Sequence, residues 1–209
     1  MTARGPLGSV YPSPVSSIAA VLTFWFGNVA GEPPPPEFQK RWWTKSEAFD
    51  GEIRQRFGDL HSALMAGEHD DWLDTPRGCV ARIIVLDQFS RNMFRDDPRA
   101  FASDPLALAA TDRVLQSSFL DDLGGHEQLF ALMPLMHAES RERQAQSVRE
   151  FEALAARTPG DAFDSNVDYA YRHKRIVDRF GRYPHRNAVL GRDSTAEELE
   201  FLKEPGSSF

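Results

Sequence analysis

The chain has 209 residues, 41% of them hydrophobic and 26% charged, and a formal net charge of −7. That length suits one domain with a sizeable core, and the composition is ordinary for a globular protein. The acidic balance excludes non-specific nucleic-acid binding, which needs a basic field, and the single cysteine, Cys79, excludes an internal disulfide, as expected in a reducing compartment.

No apolar run approaches the roughly 20 residues of a membrane span. The N-terminal run MTARGPLGSVYPSPVSS lacks the apolar centre of a signal peptide, so the expected location is cytoplasmic. Its Gly, Pro and Ser content predicts a disordered leader over residues 1–14, followed by one all-helical domain over 15–204 and a loose tail, PGSSF, over 205–209.

Helical periodicity runs through almost the whole chain. Ile18, Val21, Leu22, Trp25 and Phe26 form one helical face behind Ser16 or Ser17 as cap, and Gly27 ends it. EPPPPE, Glu32 to Glu37, predicts a stiff extended connector. Trp42 and Trp43, read as core anchors, precede an amphipathic helix with Phe49, Ile53, Phe57, Leu60 and Leu64 on one face. Thr75-Pro76 opens a helix that is apolar nearly all round from Cys79 to Phe89, which marks it as central and buried. Asp104-Pro105 repeats the cap-then-proline signal for Leu106 to Leu115. Glu127 to Met136 follows, with Pro134 as a kink or stop, then Ser140 to Ala156 and Phe163 to Phe180. Ser194 and Glu197 read as a capping box for a last helix through Leu202. The expectation is an all-α fold of about seven or eight helices joined by short turns, without strands.

Polar residues in apolar surroundings are the candidates for function. Asp87 lies among Ile84, Leu86 and Phe89, so it needs a partner or an upward pKa shift. Arg91 stands four residues on, at same-face spacing, and Asn92 follows. His137 and Glu139 come just after Pro134, where a histidine caps helix-end carbonyls on the plainest reading. His173 shares a stripe with Tyr169, Ile176 and Phe180 and reads first as a satisfied core histidine. The run FGRYPHRNAVLGRDST, Phe180 to Thr195, then breaks the helix at Pro184 and supplies His185, Arg186 and Asn187. Arg186 is suited to a bidentate carboxylate or phosphate contact. It either pairs with Asp87 or Glu139 as a structural latch, or walls an anion site with Arg91, His137 and His173.

DQFSRN (87–92), PLMHAES (134–140) and the 180–195 run, together with VLTFWFG (21–27), resemble the bacterial family of uncharacterised proteins called domain of unknown function 924, over about Val21 to Leu202. The resemblance implies a tetratricopeptide-like fold of stacked antiparallel helix hairpins and no established activity. The family pattern usually has proline where this chain has Ser90; serine lets the helix continue past Phe89.

Three functions compete. A binding module holds an anionic small molecule or peptide group with Arg91, Asn92, His185, Arg186 and Asn187. An enzyme uses His137 or His173 as base, Asp87 or Glu139 as its orienter and Arg186 as charge stabiliser. In the third, the polar cluster only fixes packing and a partner surface carries the function. No cofactor is implied: FGNVAGEP lacks the G-x-x-x-x-G-K spacing of a phosphate loop. No metal is expected either, since His137, Glu139, His173 and His185 match no close ligand motif. The expected partner is the anion, with no nucleic acid and no membrane, and a homodimer stays open.

Overall fold

The structure is a computed structural model that describes residues 17–27, 31–158 and 160–208. The expected leader (1–14) and the alternative cap Ser16 lie outside the described residues. All regular structure among the described residues is helical. The longer helices are α1 (Ile18–Phe26), α2 (Pro36–Trp42), α3 (Glu47–Met65), α4 (Pro76–Ile83), α7 (Asp104–Gln116), α8 (Gly125–His137), α9 (Arg141–Arg157), α10 (Asp161–Phe180) and α11 (Ala196–Phe201); two single turns, α5 (Ser90–Met93) and α6 (Arg99–Ala102), lie between α4 and α7. No helix of the described residues is long and apolar enough to cross a membrane.

The caps explain most boundaries. Ser17, Ser46, Thr75 and Ser140 each accept a backbone N–H of the first turn of their helix, as short polar side chains do at helix starts. Gly27 ends α1 at φ 77° and Gly181 ends α10 at φ 73°, a conformation that costs a side-chain-bearing residue about 1–2 kcal/mol.

Four local expectations need correction. Trp42 packs against the core, but Trp43 is 62% exposed and is no core anchor. The proline run is not extended to its end: α2 begins at Pro36, because a proline in the first turn gives up only an N–H that has no intrahelical acceptor. The last capping box is Thr195 with Glu198, one residue later than Ser194 with Glu197; Ser194 Oγ instead accepts from Asn187 Nδ2 at 3.0 Å. Asp104 is not a cap. Ser103 holds that position, and the Asp104 carboxylate is drawn away to arginines.

The helix after Thr75 is central as expected: Cys79, Val80, Ile83, Ile84, Val85, Leu86 and Phe89 are all fully buried. It is not uniform. Ile84–Phe89 is π-helical, and the chain returns to α-helix at Ser90. The wide turn places the Leu86 carbonyl within reach of Ser103 Oγ, which donates to it. Serine at position 90 does continue the helix, and it is used: Ser90 Oγ lies 2.7 Å from both Ser103 Oγ and His61 Nε2. Trp25, Phe24, Phe57, Phe89 and Phe130 interlock around this helix with ring centroids 4.8–5.8 Å apart. Each such ring contributes about 1.5–3 kcal/mol by leaving water.

Helices α8, α9 and α10 pack side by side, with α9 and α10 as the most extensive helix pair. The run after Gly181 folds back over their ends. Tyr183, fully buried, joins Ile176 and Val177 in a second small apolar cluster. That return brings Arg186 to Asp104 at the start of α7.

Candidate functional site

Asp87 has no exposed surface, and three side chains satisfy it. His137 Nδ1 donates to Oδ1 at 2.8 Å, Arg91 Nη1 approaches Oδ1 at 3.0 Å, and Gln88 Nε2 donates to Oδ2 at 2.6 Å. Burial alone raises a carboxyl pKa, but Arg91, His137 and these hydrogen bonds outweigh it and hold Asp87 well below the usual carboxylate range. Of the two expected outcomes, partner or upward shift, the partner prevails.

Arg91 turns its other edge to Asp104, with contacts of 3.0 and 3.2 Å from Nη1 and Nη2. Arg186 reaches the same carboxylate more loosely, Nη1 to Oδ2 at 3.4 Å. The structure therefore corrects the expected pairing of Arg186 with Asp87 or Glu139. The sequence offered no sign of Asp104, whose role at a helix start looked complete. Arg186 is 7% exposed, and its Nε is buried with no hydrogen-bond partner among the described residues. Its guanidinium lies between the rings of Phe101 and Tyr183, 4.6 and 4.5 Å from their centroids. Burial and the neighbouring Arg91 both push its pKa down.

The two histidines complete the ring of residues. His137 does not cap carbonyls; its Nδ1–H is held by Asp87, which leaves Nε2 as the ring's proton acceptor. Burial outweighs the pull of Asp87 and lowers its pKa, so the ring is neutral. His173 lies 6.3 Å from it between ring centroids, with Nδ1 donating to Tyr169 O at 2.8 Å and its pKa pushed down to about 3 by burial and by His137. Tyr183 stands edge-on to His173 at 5.7 Å. Its hydroxyl donates to Met136 O at 2.5 Å and accepts from Gln144 Nε2 at 2.8 Å. The cluster is open to solvent on one side: the Arg91 and Asp104 side chains each keep 21% of their surface and His137 keeps 16%.

Other candidates lie outside this ring. Glu139 is bound by Arg192 through both oxygens, at 2.6 and 2.8 Å, and by the Tyr183 amide at 2.8 Å. Asn92 turns away to donate to Asp50 at 2.7 Å, beside Arg95. Asn187 bridges Ser194 and Arg192 and so shapes the turn from within. His185 stacks at a tilt on Tyr183, 5.5 Å between centroids, and burial and Arg186 lower its pKa to about 4. Among the described residues no group of three or more His, Cys, Asp or Glu side chains is placed to hold a metal ion.

Nucleophilic chemistry finds no support in the two obvious hydroxyl and thiol candidates. Ser103 donates to the Leu86 carbonyl, so it accepts from Ser90, and Ser90 in turn accepts from His61 Nε2–H. That direction is opposite to the one that activates a serine, in which the imidazole takes the hydroxyl proton. Cys79 is fully buried and burial raises its pKa to about 11, the mark of an inert thiol.

A family of bacterial proteins of unknown function, DUF924, matches residues 21–206. A solved structure, that of a protein of unknown function from Agrobacterium tumefaciens, ATU0120, aligns at 32% identity and a TM-score of 0.76 over 89% of this chain and 96% of its own. No curated protein matches the chain. The family match covers the π-helical turn, both histidine helices and the cationic return, and the chain belongs to the DUF924 family of bacterial proteins.

Proposed function

We propose that this protein binds an anionic small molecule or an acidic peptide group at the open side of the Asp87–Arg91–Asp104–Arg186 network, with Arg186 as the anion's principal contact. One observation carries the reading: a guanidinium that is 7% exposed has a buried Nε without a partner and one long contact to a carboxylate already held by Arg91. A buried donor left unmade costs about 1–3 kcal/mol, more when charged, so a ligand oxygen there is strongly favoured. The flanking Phe101 and Tyr183 rings hold the fork in place before any ligand arrives, which reduces the ordering cost of binding.

The test is thermal unfolding against acetate, di- and tricarboxylates, inorganic phosphate, sulfate and peptides with a free C-terminal carboxylate. At least one should stabilise the parent saturably and leave Arg186→Met unmoved. A parent that responds to none of them sinks the reading.

A second reading rests on the Asp87–His137 bond. Asp87 fixes the tautomer that makes His137 Nε2 a base, and the lowered His137 pKa keeps it unprotonated near neutrality. In that reading the anion is a substrate whose developing charge Arg186 stabilises. Turnover of any ester or phosphoester that survives in the parent and is lost in His137→Gln, with anion stabilisation retained, favours it over simple binding.

A further inference from the structure

A second cleft shares no residue with the polar ring. It is a shallow, open depression among α1, α2 and α3 with a volume of about 550 Å³, lined by Ala19, Ala20, Thr23, Phe24, Phe38, Arg41, Glu52 and Arg56. That size falls within the roughly 300–1,000 Å³ of small-molecule sites. Its floor is aromatic, and Arg41, Arg56 and Glu52 supply its charges. The Arg41 guanidinium sits over Phe38 at 4.0 Å, Phe49 at 4.8 Å and Phe24 at 5.1 Å. The Arg56 guanidinium also lies over Phe24, at 4.6 Å.

The two arginines differ in how they are matched. Arg56 Nη1 is paired with Glu52 at 2.8 Å, one helical turn away, and both are exposed. Among the described residues Arg41 makes no close ion pair, although the charge of Glu52 acts on it from further off, and its Nε and Nη2 are buried without a hydrogen-bond acceptor. Two cations and one anion line the cleft, so one positive charge is left over, and Arg41 is the arginine with unfilled donors. Packing of a guanidinium on rings accounts for its position but not for two empty N–H directions.

We propose that this cleft is a second binding site, for an aryl carboxylate: a monoanion whose carboxylate takes the Nε and Nη2 donors of Arg41 and whose ring lies against Phe38 and the Ala20–Thr23 wall. The planar fork of arginine matches a carboxylate edge-on, which favours carboxylate over a single-point anion. Glu52 at the rim disfavours a dianion, because the cleft has only one uncancelled charge. Phe38, half-buried, covers the guanidinium and is the ring that turns to admit the ligand.

The probe is 2-naphthoate, titrated calorimetrically into the full-length protein, with 2-naphthamide and inorganic phosphate as comparisons. Naphthoate should bind saturably with one site, naphthamide at least about tenfold more weakly, and phosphate more weakly than naphthoate. Arg41→Gln should weaken naphthoate at least about tenfold, while Arg186→Met leaves it unchanged. Should Arg41→Gln fail to fold, Thr23→Glu serves in its place: it puts a carboxylate on an exposed position of the cleft wall and should abolish binding. No binding to the parent, equal affinity for naphthamide, tighter binding of phosphate, or unchanged affinity in the folded variant overturns the proposal. Loss in Arg186→Met alone assigns naphthoate to the polar ring and overturns it as well.

Discussion

His137 Nδ1 donates to Asp87 Oδ1 at 2.8 Å, tying the last residue of α8 to a π-helical turn 50 residues earlier in the chain. The carboxylate is fully buried, and its other contacts are Arg91 and Gln88. The bond therefore does two things: with Arg91 it offsets the desolvation of Asp87, and it sets the histidine tautomer.

Asp87→Ala leaves His137 without its acceptor and Arg91 with Asp104 alone. Breaking a buried pair by removing one partner costs about 3–5 kcal/mol. Urea unfolding at neutral pH should show a loss of that order. A loss below about 1 kcal/mol would mean that water takes over the role of the carboxylate.

Acid should weaken the fold through buried histidines that stay neutral in it. In the fold His173 has its pKa at about 3 and His185 at about 4, against about 6.5 in an unfolded chain. Between those values the unfolded chain binds more protons, so stability rises with pH and falls as pH drops from about 6.5 towards 4. Each histidine contributes a slope of up to about 1.4 kcal/mol per pH unit. Asp87 acts in a lower window: its contribution is complete above about pH 3.9 and is lost below it. The urea midpoint measured at about pH 7 and about pH 5 should fall, and the fall should shrink in His185→Asn. A midpoint flat across that interval contradicts the assignment of neutral buried histidines.

Ser90 is the middle of a buried relay from His61 to the Leu86 carbonyl. Ser90→Ala leaves the His61 N–H and one Ser103 lone pair unsatisfied, at a cost of about 1–3 kcal/mol by chemical denaturation. The imidazole signals of His61 should report Nε2–H in the parent; Nδ1–H would reverse the relay and reopen a serine role.

The Glu139–Arg192 fork, with the Tyr183 amide on the same carboxylate, holds the cationic return against the end of α8. Arg192→Ala should cost about 1.5–3 kcal/mol, the range for hydrogen bonds to charged groups. Amide exchange should quicken first in residues 182–194. Uniform acceleration across α9 and α10 instead would mean that the return and the helix pair open as one unit.

Cys79 should resist thiol reagents in the native protein and react promptly in urea, because it is fully buried and its pKa is raised to about 11. Rapid labelling without denaturant would show a local opening of the central helix.

Local chemistry settled much of this in advance. The all-α class, the cap at Thr75, Ser17 as one of two candidate caps, the central helix over Cys79 to Phe89 and the Asp87–Arg91 pair all follow from spacing and cap preference, which act within a few residues. The π-helical turn did not show, because widening one turn leaves the hydrophobic pattern unchanged. Tertiary structure alone decided the long-range partners. Asp104 rather than Glu139 faces Arg186, because Arg192 reaches Glu139 first and Arg91 draws Asp104 inward. Asn92, adjacent to Arg91 in sequence, is turned to Asp50 and away from the site. Sequence periodicity says which face of a helix is buried; which charge waits across the gap depends on how separate helices meet, and no local spacing encodes that.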